Sequence, residues 1–377
     1  MVSSIQQELA RLPADVSELL RRHRFDPQRF EQLAAKLTQA GASDNRVKGR
    51  VEAPSGDDVT EFPARGSAAW NELERLGLDL LARGECALVV LAGGMATRMG
   101  GVVKALVDAL PGETFLDLRL KEIDAMQRRV GRAPPFWLMS SHSTHEKLVS
   151  TLGPRLDGYQ VAVFPQYLSI RLTPDGHIFT DAQGRPSEHA PGHGDLPDAL
   201  RDSGLIGRFV KAGGKLVMVA NLDNLGATLE PAVIGWHLKY GRQVTCEVVS
   251  KVGSDRGGIP ARVDGRLVVL EEFRLPDNFD AASVRVFNTN TFQFDARALL
   301  ELDMAWTYFI VQKKIGDAPV IQFERLVNEV TSHLAARFIL VPRSGSESRF
   351  LPVKDNEELE ARRSEIRAVA EGRGILP

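Results

Sequence analysis

A strand-like run followed by a glycine-rich turn, residues 86–104, constrains the fold of this 377-residue chain more than its other segments do. It opens with a continuous apolar run, Cys86 to Leu91, which is short enough for a strand that is buried on both faces. The run ends near Gly93-Gly94, where the backbone can approach a ligand closely. Arg98 and Lys104 follow. Backbone N–H groups and positive charge in this order predict a site for phosphate groups.

The spacing of this turn excludes two common phosphate-binding motifs. It contains neither Gly-x-x-x-x-Gly-Lys followed by Ser or Thr nor Gly-x-Gly-x-x-Gly. A glycine pair after an apolar strand is also a common tight turn between a strand and a helix, which would need no ligand. The presence of Arg98 and Lys104 favours the phosphate site over this structural explanation.

The composition excludes several other classes of protein. A hydrophobic content of 43% with 25% charged residues is typical of a globular chain. The formal net charge of −2 provides no general attraction to nucleic acid or membranes, so we expect neither as a partner. Cys86 and Cys246 lie in apolar runs and form neither a metal motif nor a disulfide framework. Because the sequence shows no signal peptide and no apolar run of about 20 residues, we expect a cytoplasmic protein.

Apolar runs and helical patterns alternate from residue 86 onward, which predicts a mostly parallel sheet covered by helices on both faces. In such a fold, ligands bind at the carboxyl ends of the strands. The predicted strands are Cys86–Leu91, Phe136–Met139, Gln160–Phe164, Lys215–Ala220, Gln243–Val249 and Val286–Phe294. The predicted helices are Phe115–Arg129, His145–Leu152, Leu196–Ser203 and Glu230–Tyr240. An antiparallel hairpin is expected within 258–275, with its turn at Asp264-Gly265.

These patterns divide the chain into three regions. Residues 1–82 are predicted to form an N-terminal helical appendage, in which Asp26-Pro27 has the pattern of a helix N-cap followed by proline. A polar link is expected within this appendage at 41–66. Residues 83–336 form the α/β domain with the candidate sites, and 337–377 form a C-terminal segment that ends in a helix.

A histidine between two glycines, in Pro191-Gly-His-Gly-Asp195, is a second candidate site. The flanking glycines would let a ligand contact the backbone on either side of His193. Asp195 is expected to cap the helix that follows, and a helix N-terminus favours an anion. The structural alternative is a solvated histidine on a surface loop.

A third candidate site follows the strand predicted at 215–220, where Asn221 and Asp223 come directly after the apolar run. A carboxylate at the carboxyl end of a strand is well placed to hold Mg²⁺ against phosphates. The alternative is that Asp223-Asn224 forms an Asx turn with no ligand.

These segments resemble the UDP-glucose pyrophosphorylase family of UTP-dependent sugar-1-phosphate uridylyltransferases. The resemblance is carried by the glycine loop with Lys104, by Pro191–Asp195, and by the segment from Asn221 to Thr228. Further segments agree in order and spacing: Thr114–Leu118, Gln166, Arg256–Ile259 with Glu271, Phe287–Phe292 and Val341–Lys354. The resemblance covers about residues 86–360. It implies the nucleotide-diphospho-sugar transferase fold, a Rossmann-like α/β fold.

The resemblance also implies an activity. The family forms UDP-glucose and pyrophosphate from UTP and glucose 1-phosphate by Mg²⁺-assisted in-line attack at the α-phosphorus. The positions that match its catalytic residues are Arg98, Lys104, His193 and Lys354. Those that match its nucleotide-binding residues are Leu91, Ala92, Gly93, Gly94, Gln166 and Gly192. Those that match its sugar-binding residues are Asn221, Gly258, Glu271 and Asn290, and Asp223 matches its metal ligand.

Some positions depart from the glucose-specific branch. Ala92 stands where that branch has Asn, and Met95-Ala96 stands where it has Leu-Gly; the form found here leans towards the N-acetylhexosamine branch. A UDP-N-acetylglucosamine or broad-specificity UDP-sugar pyrophosphorylase is therefore an alternative, and a non-catalytic sensor of UTP or UDP-sugar is another. Residues 345–348 form an apparent insertion before Arg349. Since the sequence stops before the family's C-terminal β-helix, we expect a monomer or a small oligomer that is not built through that element.

Overall fold

The computed structural model describes residues 4–40, 45–253 and 255–377. The helices in these ranges are α1 (Ser4–Ala10), α2 (Ala14–Arg22), α3 (Pro27–Ala40), α4 (Ala68–Ala82), α5 (Phe115–Val130), α6 (His142–Leu152), α7 (Leu196–Asp202), α8 (Leu205–Lys211), α9 (Pro231–Tyr240), α10 (Ala296–Leu300) and α11 (Asn356–Gly372). None of them has the length and apolar character needed to cross a membrane.

The strands of the described residues are β1 (Val51–Glu52), β2 (Val59–Glu61), β3 (Cys86–Leu91), β4 (Met95–Ala96), β5 (Val102–Val103), β6 (Asp108–Leu110), β7 (Glu113–Thr114), β8 (Phe136–Ser140), β9 (Val161–Pro165), β10 (Ser169–Ile170), β11 (Glu188–His189), β12 (Leu216–Asn221), β13 (Val244–Ser250), β14 (Ile259–Val263), β15 (Arg266–Leu270), β16 (Val286–Asp295), β17 (Phe309–Ile315), β18 (Ala318–Glu324) and β19 (Ala336–Leu340).

A sheet of eight strands lies at the centre of this described structure, in the order β2-β19-β13-β16-β12-β3-β8-β9. Strand β16 runs antiparallel to β12 and β13, whereas the other neighbours in the sheet pair in parallel. The predicted α/β fold with a mixed, mostly parallel sheet is confirmed. Strands β3, β8 and β12 end at one edge of the sheet, which is where α/β folds bind their ligands.

Strand β3 shows why helices cover both faces of the sheet. Its side chains from Cys86 to Val90 are fully buried. Leu88 and Val90 pack in the core on one face with α5, α6 and α11, and Ala87 and Val89 pack on the other face with α7 and α8. A strand enclosed in this way needs apolar side chains at successive positions. Burial of each large aliphatic side chain contributes about 1.5–3 kcal/mol.

The strands and helices predicted for the α/β domain are present, with bounds that agree within a few residues. The hairpin β14–β15 is joined by Asp264 and Gly265, whose φ angles of 49° and 82° fit the two-residue turn that was predicted. Helix α8 and the hairpin β17–β18 were not predicted.

The N-terminal helices pack against the rest of the chain. Val16, Leu20 and Phe30 form one apolar cluster with Leu172 near β10 and with Phe323 on β18. The predicted N-cap is confirmed, because the Asp26 carboxylate accepts a hydrogen bond from the Arg29 N–H at 2.9 Å. These helices therefore rest on elements of the α/β domain.

The polar link predicted at 41–66 begins with residues 41–44, which lie outside the described residues. The part that follows contains β1 and β2, and β2 pairs in parallel with β19 in the central sheet. The three-region division of the chain stays a prediction.

Candidate active site

The glycine loop leaves β3 as an extended chain and then folds into a small hairpin. The Ala92 N–H donates to the Met139 carbonyl oxygen at 2.8 Å, and the Ala92 carbonyl oxygen accepts from Thr144 Oγ1 at 3.1 Å. Strands β4 and β5 then pair, and the Lys104 N–H closes the loop onto the Gly94 carbonyl oxygen at 3.2 Å. This closure places Lys104 beside the end of β3.

Gly93 and Gln166 meet at the base of this loop. A Cβ atom on Gly93 would lie 2.7 Å from Gln166 Nε2 and 3.3 Å from the Ser141 nitrogen, so glycine is needed for this close approach. Gln166 is buried, and its N–H donates to the Ser140 carbonyl oxygen at 2.8 Å. Two of the residues that the resemblance assigns to nucleotide binding are thus in contact; the nucleotide that they bind stays a prediction.

Lys104 and Asp223 form the centre of the site. The Lys104 ammonium group makes a salt bridge with Asp223 Oδ2 and also donates to the Val353 carbonyl oxygen. These contacts join the glycine loop, the segment after β12 and the C-terminal segment. Among the described residues there is no group of three or more His, Cys, Asp or Glu side chains that suits a metal ion. A metal here would depend on Asp223 together with ligand atoms from a substrate.

Asn221, the last residue of β12, lies beside Asn290, which is within β16. Asn290 Nδ2 donates to Asn221 Oδ1 at 2.8 Å. Asn290 has a φ of 58°, which is uncommon for a residue other than glycine. Such a conformation costs on the order of 1–3 kcal/mol and often marks a functional site. The structure therefore brings together two of the predicted sugar-binding residues.

A buried arginine that the sequence analysis missed supports the loop that contains Asp223. Arg119 on α5 donates to the carbonyl oxygens of Asn221 at 3.0 Å, Asn224 at 2.7 Å and Ala227 at 2.8 Å. It also forms a salt bridge with Glu122 at 2.8 Å. These bonds fix the backbone on which Asp223 lies. The available signal was an Arg–Glu pair at helical spacing on the apolar face of α5.

The loop around His193 lies flat against the backbone of Arg325. The Arg325 N–H donates to the Pro191 carbonyl oxygen at 2.7 Å, and the Gly194 N–H donates to the Arg325 carbonyl oxygen at 3.0 Å. Gly192 has a φ of 106°, and a Cβ atom on Gly194 would lie 2.6 Å from the Arg325 carbonyl carbon. Both glycines are therefore required by backbone geometry.

The His193 imidazole is neutral at pH 7. Its Nδ1 accepts a hydrogen bond from the Val327 N–H at 2.9 Å, which assigns the ring proton to Nε2. Loss of solvation on burial lowers the pKa of His193 to about 4. The ring can therefore donate a hydrogen bond to a phosphate oxygen without carrying a positive charge.

Asp195 occupies the predicted N-cap position of α7, but the capping role expected of its side chain is wrong. Asp195 precedes α7, but its carboxylate makes no capping hydrogen bond. It instead accepts from Arg325 Nε at 2.5 Å and from the Tyr167 N–H at 2.9 Å. A buried guanidinium group takes this carboxylate because an unpaired buried charge would be costly. Arg325 was not identified from the sequence.

The predicted sugar-binding residues Gly258 and Glu271 are in contact. A Cβ atom on Gly258 would lie 2.8 Å from Glu271 Oε1. Burial raises the pKa of Glu271, and a hydrogen bond from Asn328 opposes this rise. Asn328 Nδ2 donates to Glu271 Oε1 at 2.6 Å. Asn328 is a further residue of the site that the sequence analysis missed.

The C-terminal segment is fixed close to Lys104 by buried contacts. Arg349 binds both oxygens of the Glu247 carboxylate on β13, at 2.5 and 2.6 Å. The Asn224 side chain donates to the Arg349 carbonyl oxygen at 3.2 Å and accepts from the Leu351 N–H at 2.7 Å. Lys104 contacts the carbonyl oxygen of Val353, and Lys354 is the next residue in the chain. The Lys354 side chain is exposed.

Arg98 is a predicted catalytic residue whose side chain makes no polar contact with the other predicted site residues in the described structure. It is exposed in the turn between β4 and β5, and it makes no hydrogen bond or ion pair with another residue in the described ranges. Its contact with a phosphate group stays a prediction, as does that of Lys354.

A mostly parallel sheet, a glycine loop after its central strand, and a lysine–carboxylate pair at the carboxyl ends of the strands define an α/β protein of the nucleotidyltransferase class. The profile of one family, described as UTP–glucose-1-phosphate uridylyltransferase, matches residues 28–376. The chain belongs to this family, which confirms the resemblance found in its motifs.

Individual relatives agree with this assignment. The chain is 25% identical over 396 residues to a probable UTP–glucose-1-phosphate uridylyltransferase of Schizosaccharomyces pombe, covering 98% of this chain and 76% of that protein. The solved structure of a UDP-N-acetylglucosamine pyrophosphorylase from Trypanosoma brucei has a TM-score of 0.78 at 20% identity, over 96% of this chain and 81% of that one. A UDP-glucose phosphorylase from the same organism has a TM-score of 0.75 at 22% identity, over 92% and 77%. These structural matches show the fold.

Proposed function

We propose that this chain transfers a uridylyl group from UTP to glucose 1-phosphate, which forms UDP-glucose and releases pyrophosphate. Membership of the family supports this activity. The observation that carries the proposal is the contact of Lys104 with both Asp223 and the Val353 carbonyl. It gathers three separate segments at the edge of the sheet where a nucleotide would bind.

The chemistry requires two anions to be held together. A phosphate oxygen of glucose 1-phosphate attacks the α-phosphorus of UTP, the new P–O bond forms, and the bond to the bridging oxygen of the β-phosphate breaks. Pyrophosphate leaves with that oxygen. Positioning and neutralisation of charge dominate such a transfer, and no covalent nucleophile is needed. In this proposal Lys104 and Arg98 neutralise the pyrophosphate, and Lys354 and the neutral His193 position the attacking phosphate.

The residues that are in contact suggest how the substrates are selected. Gln166, held against Gly93, would pair with the uracil edge, and the backbone of Gly192 would contact the base. The Asn221–Asn290 pair and Glu271 would accept and donate hydrogen bonds to the sugar hydroxyls. These roles complete the proposed site.

Mg²⁺ is part of the proposal. Asp223 offers one carboxylate, and Mg²⁺ is commonly held by one or two carboxylates together with substrate phosphates. The side chains therefore fit a metal that arrives with UTP. Asp223 would hold the ion, which when bound supplies charge neutralisation at the phosphates. Lys104 makes a salt bridge with the same carboxylate.

The test is pyrophosphate release by the purified protein with UTP, Mg²⁺ and, in separate reactions, the 1-phosphates of glucose, galactose and N-acetylglucosamine. We expect release that strongly favours glucose 1-phosphate and is abolished by EDTA. Preference for N-acetylglucosamine 1-phosphate would show that this sugar phosphate, rather than glucose 1-phosphate, is the substrate. No release with any of them, while UTP still raises the melting temperature, would favour a sensor. The cytoplasmic location and the oligomeric state stay predictions from the sequence.

A further inference from the structure

Asn328 is a buried side chain that contacts the proposed sugar site from outside the recognised motifs. It lies in the 3-10 helix Val327–Ser332 and is 2% exposed. Its Nδ2 donates to Glu271 Oε1 at 2.6 Å, and a Cβ atom on Gly258 would lie 3.3 Å from that same nitrogen. The two ends of the β14–β15 hairpin and the more distant segment of Asn328 thus meet at the Glu271 carboxylate.

Asn328 is itself held firmly by its own helix. The Thr331 hydroxyl donates to the Asn328 carbonyl oxygen at 2.7 Å, and Thr331 Oγ1 accepts from the Val269 N–H on β15 at 2.9 Å. The preceding residue, Val327, donates its N–H to His193 Nδ1. The backbone of one short segment therefore fixes both the histidine that faces the phosphate in our proposal and the amide that faces Glu271.

The orientation of the Asn328 amide follows from its partner. Because an ionised carboxylate can only accept hydrogen bonds, Nδ2 must face Glu271, and the opposite amide orientation would place two oxygens together. Asn328 Oδ1 is buried and has no hydrogen-bond partner among the described residues. Such an arrangement costs free energy unless a ligand or ordered water completes it.

Loss of this contact would change the Glu271 carboxylate directly. Charged groups near Glu271 are Glu272, Glu329 and Arg274, and the two acids disfavour its ionisation. The hydrogen bond from the Asn328 amide and the positive charge of Arg274 oppose the effect of burial and of these like charges. A neutral or displaced Glu271 would no longer offer the same acceptor oxygens to sugar hydroxyls.

We propose that Asn328 is a positioning residue that orients Glu271 towards the sugar and thereby contributes to sugar binding and selection. This inference rests on the proposed function, because it takes Glu271 as a sugar contact. It assigns part of the sugar specificity to the segment 325–332, which also holds the Pro191–Asp195 loop.

The test separates sugar binding from nucleotide binding. The dissociation constants of UDP and of UDP-glucose are measured by calorimetry. The ratio of the UDP constant to the UDP-glucose constant reports how much the sugar adds to the affinity. We expect Asn328→Ala to reduce this ratio by about 10-fold while the UDP affinity is unchanged, since one hydrogen bond to a charged group is lost. The matched control is Asn71→Ala, which also removes one amide hydrogen bond, to the Gly66 carbonyl at 3.3 Å, on an exposed surface.

A second variant gives a readout that a general structural role would not change. Asn328→Asp places a carboxylate beside Glu271, so two acids compete for one proton. We expect a low ratio at pH 8 that recovers towards pH 5, where one protonated acid can again donate a hydrogen bond; the wild-type ratio measured at both pH values is the reference. A wild-type ratio for Asn328→Ala would overturn the role of Asn328. Equal wild-type affinities for UDP and UDP-glucose would overturn the sugar contact on which the role of Asn328 rests, whereas the proposed function itself fails if no pyrophosphate is released with glucose 1-phosphate.

Discussion

The ammonium group of Lys104 forms a salt bridge with the Asp223 carboxylate, although the two residues are 119 positions apart in the chain. Each side chain is 18% exposed. Partly exposed ion pairs add on the order of 0–1 kcal/mol to stability, so this pair has little weight in holding the fold together. Its consequence is positional, because it fixes a cation beside the carboxylate that follows β12.

Lys104→Ala should therefore reduce activity much more than stability. We expect kcat to fall by on the order of 10²–10³, the effect of removing one preorganised group that stabilises developing charge. The measurement is the rate of pyrophosphate release at saturating UTP and glucose 1-phosphate, together with the melting temperature. Lys239→Ala is a matched control, since it removes a Lys–Glu72 salt bridge of 2.7 Å between α9 and α4. Wild-type kcat for Lys104→Ala would contradict the assignment.

Gly93→Ala tests the contact with Gln166. The new Cβ atom would lie 2.7 Å from Gln166 Nε2. Because this nitrogen ends a flexible side chain, we expect the amide to move while the fold persists. The dissociation constant of UTP should then rise by about 10-fold, as expected when one buried hydrogen bond is lost, and discrimination against CTP should weaken.

The control for this variant is Gly207→Ala on helix α8, where an added Cβ atom would meet nothing within 4 Å. It should leave UTP affinity unchanged and stabilise the protein slightly, because alanine favours a helix over glycine by about 1 kcal/mol. If Gly93→Ala binds UTP and rejects CTP like the wild type, Gln166 does not select the base.

The parts of the fold that the sequence predicted are those with a local signal. The Cys86–Leu91 strand was found because its apolar run is continuous. The β14–β15 hairpin was found because the dipeptide Asp264-Gly265 favours the positive φ angles of a two-residue hairpin turn. The β17–β18 hairpin was missed because β17 buries only Phe309 fully and continues into exposed positions that end at Ile315, so it lacks the alternation of a half-buried strand.

The site residues that the sequence analysis did not identify were missed for a different reason. Arg119 contacts carbonyl oxygens more than 100 positions away, and Arg325 contacts Asp195 at a separation of 130 positions. Buried polar residues of this kind are recognised by partners that only the folded chain brings close. A single sequence shows an arginine or an asparagine there, but it does not show that the side chain is buried.

The pKa of His193 predicts a pH dependence of stability. Its folded pKa of about 4 lies below the usual value of 6.5 because burial disfavours the charged ring. As pH falls below 6.5, the unfolded chain binds a proton that the folded chain does not bind until about pH 4. The stability associated with a neutral His193 is therefore fully present above pH 6.5 and is lost between about pH 6.5 and 4.

His193→Gln should flatten part of this loss. His189 and His237 also have pKa values lowered to about 4 by burial, so some pH dependence will remain. The measurement is the free energy of unfolding by urea at pH 7 and at pH 5. His177→Gln is a control of opposite sign, because a hydrogen bond with Glu8 raises the pKa of His177 and its stabilisation is lost as pH rises through that value. An unchanged difference between pH 7 and pH 5 in His193→Gln would show that the ring is not desolvated.

Asn290 provides a test of whether its strained backbone serves the proposed sugar site. Asn290→Ala and Asn290→Gly both remove the amide that donates to Asn221 Oδ1, but glycine adopts a φ of 58° without the cost of a Cβ atom. We expect both variants to lose about 10-fold in kcat/KM for glucose 1-phosphate, with an unchanged melting shift on addition of UTP.

The two Asn290 variants should differ in stability, with the glycine variant more stable by about 1–2 kcal/mol because alanine disfavours the left-handed conformation. Asp264 has a φ of 49° in the β14–β15 turn, away from the site, and its Oδ1 accepts from the Arg50 N–H at 2.9 Å. Since Asp264→Ala and Asp264→Gly both lose this hydrogen bond, the difference between them reports the backbone alone. We expect the same difference in unfolding free energy at both positions and wild-type activity for both Asp264 variants. If Asn290→Gly retains wild-type kcat/KM, the backbone at Asn290, rather than its amide, shapes the proposed sugar site.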